Sequence, residues 1–432
     1  MNLNDKNKNK LIRSVGSFGI ALLAINAMVG AGIFTLPSIV VSRVGTISPW
    51  LFLLVGLGVI TIVLTFGRLA SFFTDSGGPI LYANSAFGPL VGFSTGWILY
   101  ISRIAAFGAN SNALTIYLGT IWPWVNSSTG RGIVISTICV GLTWINYGGV
   151  KDSLKALTLF TLLKLTPIFL LIIIGFKNIS PEIFLDTDLP DINGLGSTIL
   201  LLIYAFIGFE SATYVSGEST DPKKSLPKAM IQSVIFIAIF YFLISLVYVS
   251  AIPSGNENTL VSLGESLLGS IGAVTITLAA VFSIGGNLAS MMLAVPRLTF
   301  SLSEKNLLPK WFRNVHKRHK TPSNSILFFG LLTLIFALSG SFVFLVIASS
   351  LTRLLAYIAS ICALPFIVNK ADEKTKSQSF NLLGGYTIPA IALAVCLWIA
   401  AQSNLDAWKL TLSLLSFGLI LFYVARRNHK VY

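Results

Sequence analysis

Four ionisable side chains lie within long apolar runs of this sequence, where little water is available to solvate a charge. They are Arg103, Lys164, Glu210 and Arg353. Charged residues inside membrane spans are costly, and by default they mark substrate, ion or proton pathways. A buried carboxylate can pair with a buried arginine, and a desolvated amine can exchange a proton. These residue types therefore point to binding or proton transfer inside a membrane.

Metal-dependent or hydrolytic chemistry lacks the residues it needs. The three histidines, His316, His319 and His429, fall outside the apolar runs. Glu210 is the only carboxylate within a run, so no paired-carboxylate site is available there. The three cysteines are scattered, without metal-ligand or disulfide spacing. We therefore expect no enzyme activity and no cofactor.

The elements that position these residues are long apolar segments. The chain is 54% hydrophobic and 11% charged, whereas soluble domains carry about 25% charged residues. Runs of about 20 apolar residues cross a bilayer as helices. The sequence predicts an all-α integral membrane protein with twelve transmembrane helices, at 15–42, 48–73, 89–118, 130–148, 154–176, 196–216, 229–251, 270–300, 324–339, 342–368, 384–402 and 407–425.

The distribution of basic residues predicts the orientation. The net charge is +14, and most lysines and arginines fall on one side if the N-terminus is cytosolic. This is the positive-inside pattern, so we expect a bacterial cytoplasmic membrane protein with both termini in the cytosol. The basic charge then meets anionic membrane lipid and not nucleic acid. For the loop "RNVHKRHK" at 313–320, phosphate binding is the weaker alternative.

Short loops join the spans, so we expect no separate soluble domain. The predicted layout has a cytosolic tail at 1–14 and a transport core of ten helices at 15–368. A cytosolic loop and the last two helices follow at 369–425, with a second tail at 426–432.

Two spans contain helix-breaking residues. The first includes "MVGAGIFTLP" at 28–37, and the sixth includes "LLIYAFIGFESATYVSGE" at 201–218. They lie five spans apart and run in opposite directions, as a five-plus-five inverted repeat with broken helices 1 and 6 requires. Such transporters bind substrate at the midplane between the broken helices, where a half-helix N-terminus can receive a carboxylate. Alternatively, Gly30 and Gly32 only permit close helix packing.

Several motifs, in order from about residue 14 to 368, carry a family resemblance. They include "VGAGIFTLP", "SGGPILYANSAFGPLVGFSTGW", "AFIGFESATYVSGESTDPKKSLPKAM" and "PRLTFSLSEKNLLPKWF". Together they resemble the amino acid–polyamine–organocation permeases. The resemblance implies alternating access, and recognition of an amino acid's carboxylate and amine by the two broken spans.

The resemblance also implies which residues form the substrate site. The first-span turn, which would bind the carboxylate, comprises Gly30, Ala31 and Gly32. The sixth-span turn, whose carbonyls would accept the ammonium, comprises Ile207, Gly208 and Phe209. The facing side of the third span comprises Ser102, Arg103, Phe107 and Asn110. Four aromatic residues flank this position and could close over a substrate: Phe34, Phe107, Tyr204 and Phe209.

The buried charges have alternative roles. Lys164 resembles the lysine that substitutes for sodium in sodium-independent members, and it either couples transport to protons or serves structure only. Glu210 either responds to pH or pairs with Arg103. Arg103, if free of that pair, would bind an acidic side chain of the substrate. Arg353 is interpreted as a gate or packing element.

We expect a secondary active transporter of amino acids, proton-coupled and sodium-independent, with neutral amino acids favoured. An amino acid exchanger and an acidic amino acid transporter using Arg103 are the alternatives, and a membrane amino-acid sensor is more remote. The expected partners are the amino acid, protons and lipid, as either a monomer or a homodimer.

Overall fold

The computed structural model describes residues 15–75, 77–148, 154–179, 192–251, 260–382 and 384–427, without the side chains of 154–163 and 192–193. The tail predicted at 1–14 and most of the tail predicted at 426–432 lie outside the described residues.

The described chain folds into helices, which confirms the all-α prediction. The helices of its first half are α1 (Ser17–Met28), α2 (Gly32–Val44), α3 (Ser48–Ala70), α4 (Gly78–Phe87), α5 (Pro89–Ile121), α6 (Ser128–Tyr147), α7 (Leu154–Gly175) and α8 (Ile192–Phe206). Those of its second half are α9 (Pro222–Ala251), α10 (Leu260–Ala294), α11 (Pro296–Glu304), α12 (Ser323–Ser339), α13 (Phe342–Lys370), α14 (Glu373–Gln378), α15 (Thr387–Ala401) and α16 (Leu405–Arg427). A 3-10 segment, Phe209–Glu218, follows α8.

Helices lie at all twelve segments predicted as spans. Among the described residues, 8 segments are long and apolar enough to cross a membrane by length and composition. The apolar helices α1, α12 and α15 are shorter, and α7 covers the fifth predicted span. The first span is divided between α1 and α2, so its two halves are each shorter than a full crossing.

Both predicted breaks are present. Residues 29–31 separate α1 from α2, and Gly208 separates α8 from the 3-10 segment with φ of 127°. That backbone conformation favours glycine. A Cβ on Gly208 would lie 2.8 Å from the carbonyl carbon of Ala27, at the end of α1. The two breaks therefore contact each other through backbone.

Some boundaries differ from the sequence prediction. The eighth span begins at Leu260 and bends at Gly269, whereas the sequence predicted 270. Because Glu265 and two serines lie in residues 260–269, the sequence predicts an outer loop for this segment. The short helices α4 and α14 fall in predicted loops, because each is partly polar, and α11 overlaps the end of the eighth predicted span and extends into the loop after it.

The second and seventh spans, α3 and α9, pack extensively against each other. A Cβ on Gly56 of α3 would lie only 2.7 Å from the Cβ of Ala238 on α9. One turn away, the rings of Phe52 and Tyr241 stack with centroids 5.2 Å apart. Small residues at such contacts let helix backbones approach closely in membranes.

Gly56→Ala should lower the melting temperature of the purified protein in detergent. The added methyl overpacks the α3–α9 contact, and overpacking costs about 1–3 kcal/mol. Gly141→Ala on α6 is the matched control, because its Cβ would meet nothing within 4 Å. Equal melting temperatures for the two variants would contradict this packing.

Candidate functional site

The side chain of Lys164, on α7, holds the end of α1. Its ammonium donates to the backbone carbonyl and side-chain Oδ1 of Asn26, at 2.9 and 2.6 Å, and to the carbonyl of Val29, at 2.7 Å. The last carbonyls of a helix have no donor within the helix, and a cation there is favoured by the helix dipole. Lys164 is 3% exposed, so these three oxygens stand in for water around the charge.

The start of α2 presents free backbone donors to the first break. The N–H of Ala31 donates to Oδ1 of Asn110 at 3.0 Å, and those of Phe34 and Thr35 donate to the carbonyl of Ala31. Gly32 and Ile33 open the helix, so their N–H groups have no acceptor within it. A helix N-terminus of this kind favours an anion such as a carboxylate.

Two amide side chains support this turn. Nδ2 of Asn110, on α5, donates to Oδ1 of Asn287, on α10, at 3.2 Å. A Cβ on Gly30 would lie 3.4 Å from Nδ2 of Asn287, so both amides face the turn. Sequence reasoning included Asn110 and missed Asn287, whose signal was an amide within an apolar helix.

Two tyrosines border the same turn. A Cβ on Gly32 would lie 3.3 Å from the hydroxyl of Tyr241, on α9, and 3.5 Å from Cδ1 of Tyr204, on α8. The Tyr241 hydroxyl is buried and has no hydrogen-bond partner among the described residues. Tyr204 was predicted at the site, while Tyr241 was not.

The sixth-span break is tied to Glu210. The N–H of Gly208 donates to Oε2 of Glu210 at 3.1 Å, and the Tyr357 hydroxyl donates to the same oxygen at 2.8 Å. Nη2 of Arg103 lies 3.3 Å from Oε1, and Arg353 forms a second ion pair with Oε1. The ion pair expected between Arg103 and Glu210 is therefore present, and Arg353, interpreted from sequence as a gate or packing element, also binds Glu210.

Arg353 connects this cluster to the third span. Its Nε donates to Oγ of Ser102 at 3.0 Å, and Ser102 donates to the carbonyl of Ser349 at 2.9 Å. Nη2 of Arg353 is buried without a partner among the described residues. Two guanidinium groups thus face one carboxylate, which leaves an excess positive charge in this cluster.

Several residues predicted to line the substrate position make other contacts. Ser102 bonds to α13, as described above, and the ring of Phe107 packs against Phe329 on α12, with centroids 5.8 Å apart. Phe209 packs edge-on against Phe66 at 5.4 Å, and Phe34 packs against Tyr117 at 5.8 Å. The helix α5 is buried on most sides, so spacing along it did not reveal which neighbour each side chain meets. Ile207 is also buried, next to the break.

Comparison with known proteins places the chain in a family. The amino acid permease family model matches residues 15–424. The chain is 26% identical to the branched-chain amino acid permease BcaP of Bacillus subtilis, over 98% of this chain and 95% of that protein. It is 24% identical to the methylthioribose transporter of the same organism, covering 99% and 97%. It is 29% identical to the serine/threonine exchanger SteT, also from Bacillus subtilis, covering 89% and 90%.

The family match spans both breaks, the Lys164 contact and the Glu210 cluster. The relatives of the chain named above include a permease and an exchanger. They are transporters, which agrees with the expectation that the chain is not an enzyme. The chain therefore belongs to the amino acid permease family and is a multi-pass membrane transporter.

Proposed function

We propose that this protein carries neutral amino acids across the bacterial cytoplasmic membrane by alternating access, coupled to protons and independent of sodium. The core at 15–368 would perform transport, with both termini in the cytosol. The observation that carries this proposal is the contact of the Lys164 ammonium with three oxygens at the end of α1.

The two breaks suit the two charged groups that all amino acid zwitterions share. The free N–H groups of Gly32 and Ile33 would bind the carboxylate. The last carbonyls of α8, beside Gly208, would accept the ammonium. Tyr204 and Tyr241 border the turn, so the Tyr241 hydroxyl has a partner once a carboxylate is bound. The Gly208 contact with α1 keeps these donors and acceptors on adjoining segments.

Lys164 supports sodium independence because its ammonium is bound by three oxygens, which are the kind of ligand that a sodium ion would need. An ammonium that is covalently part of the chain removes the need for a bound metal ion at the same oxygens. Loss of the ammonium proton would weaken three hydrogen bonds to α1 at once. Proton binding and release at Lys164 would therefore couple to movement of the first broken span.

In proteoliposomes without sodium, an inward proton gradient should drive amino acid uptake. Lys164→Ala should lose the response to that gradient, because it removes the proton site and all three hydrogen bonds. Lys177→Ala is the control, since Lys177 is exposed beyond the end of α7. A strict sodium requirement would contradict the proposal, and uptake that needs amino acid inside the vesicle would identify an exchanger instead.

The Glu210 cluster bears on the charge of the substrate side chain. Arg103, Arg353, Tyr357 and the Gly208 N–H all bind the Glu210 carboxylate, so it has little capacity left for a cationic substrate. This arrangement favours neutral amino acids. Nη2 of Arg353 has no partner among the described residues, which favours a second candidate, an acidic amino acid whose side chain would balance the excess positive charge.

Competition for uptake by leucine, glutamate and lysine should separate these candidates. We expect strong inhibition by leucine and weak inhibition by lysine and glutamate. Arg103→Ala should leave this ranking unchanged, because Arg353 and Tyr357 still hold Glu210. Strong inhibition by glutamate alone, lost in Arg103→Ala, would establish the acidic substrate, and strong inhibition by lysine would show that Glu210 faces the substrate.

A further inference from the structure

A groove of about 530 Å³ lies between α6 and α12, away from both breaks. Its walls include Val140, Thr143, Trp144 and Tyr147 on α6, and Leu327 and Leu331 on α12. Trp144 is 76% exposed and Leu331 is 57% exposed, so the groove lies on the outer surface of the helix bundle and is open on that side. At the floor of the groove α6 and α12 are in close contact, since a Cβ on Gly330 would lie 2.3 Å from Oγ1 of Thr143.

The groove extends over part of the depth of a single leaflet. It begins where α6 ends, at Tyr147, and where α12 has just begun, at Leu327. From there it follows about two helical turns of α6, or roughly 10 Å. Half of a bilayer's hydrocarbon core is about 15 Å thick. The groove can therefore hold about two thirds of the length of one acyl chain of the adjoining leaflet, and its apolar walls match that chain in polarity.

The mouth of the groove carries basic side chains. The rings of His316 and His319 lie 5.0 and 6.5 Å from the ring of Tyr147, and Oγ1 of Thr321 donates to the Tyr147 carbonyl at 2.9 Å. Between the two histidines, Lys317 and Arg318 are exposed. Neither forms an ion pair with a carboxylate of the described residues.

The surrounding loop supplies no anion to these cations. Residues 305–320 contain three lysines besides Lys317, two arginines including Arg318, and no aspartate or glutamate. The loop is anchored to the end of α6 by the contacts with Tyr147, so its charge is held beside the apolar groove. Trp144, an indole at the rim, is a side chain that favours the membrane interface.

We propose that this groove binds an anionic phospholipid, with an acyl chain between α6 and α12 and the phosphate and anionic headgroup against Lys317 and Arg318. Basic residues next to an anionic membrane surface each contribute about 1 kcal/mol. The apolar walls distinguish this site from one for free phosphate, and the paired cations distinguish an anionic lipid from a zwitterionic one. The site is separate from the two breaks, so it does not depend on which amino acid is carried.

Native mass spectrometry of the delipidated protein would test this, with phosphatidylglycerol and phosphatidylcholine of identical acyl chains added in turn. We expect phosphatidylglycerol to bind preferentially. The double variant Lys317→Gln/Arg318→Gln should bind it about 25-fold more weakly, from the loss of two such contacts. Leu331→Trp, which fills the groove, should also reduce its binding.

Two matched controls change exposed residues outside the groove. Leu338→Trp changes an exposed residue of α12 outside the groove, and Arg426→Gln/Arg427→Gln removes two exposed cations at the end of α16. Neither should alter phosphatidylglycerol binding, and melting temperatures without lipid would verify that all variants are folded. Equal binding of the two lipids, unchanged binding by Lys317→Gln/Arg318→Gln, or displacement of lipid by inorganic phosphate would each overturn the proposal.

Discussion

The ammonium of Lys164 is the contact on which the arrangement of the two breaks depends. An α-helix that ends within the membrane leaves carbonyls without donors, and each unsatisfied group there costs several kcal/mol. Lys164 donates to two such carbonyls and to the Asn26 side chain. It thereby fixes the end of α1, and Gly208 packs on that same backbone at Ala27 and Met28. One buried charge thus positions both turns.

The remaining polar contacts divide between the two breaks. Asn110 binds the first break through the Ala31 N–H, while Arg103, seven residues earlier on the same helix, binds Glu210 beside the second. The helix α5 therefore touches both halves of the site. A substrate carboxylate bound to the N–H groups of Gly32 and Ile33 would lie next to the Ala31 N–H that Asn110 accepts from, so α5 would adjoin the bound substrate.

The spans and the breaks could be predicted from the sequence, because each depends on a short local pattern of residues. Apolar runs predicted the spans, and glycines within two of them predicted the breaks, of which Gly208 has a positive φ that few other residues adopt. The partners across the bundle were harder to predict. Arg353 reaches Glu210 from 143 residues away and Ser102 from 251 residues away, and the rotation of each helix that permits this is set by packing. Asn287 and Tyr241 were missed for the same reason, since each looks like an isolated polar group within an apolar helix.

We propose that the turn at the start of α2 binds the substrate carboxylate. Equilibrium binding of a radiolabelled amino acid to purified protein would test this assignment. The ligand would be the amino acid that most raises the melting temperature of the wild type, because ligands that bind the folded state stabilise it. Gly32→Leu should abolish binding while the protein stays folded, whereas Gly132→Leu, at a position with open space, should bind normally. Unchanged affinity in Gly32→Leu would show that the carboxylate binds elsewhere.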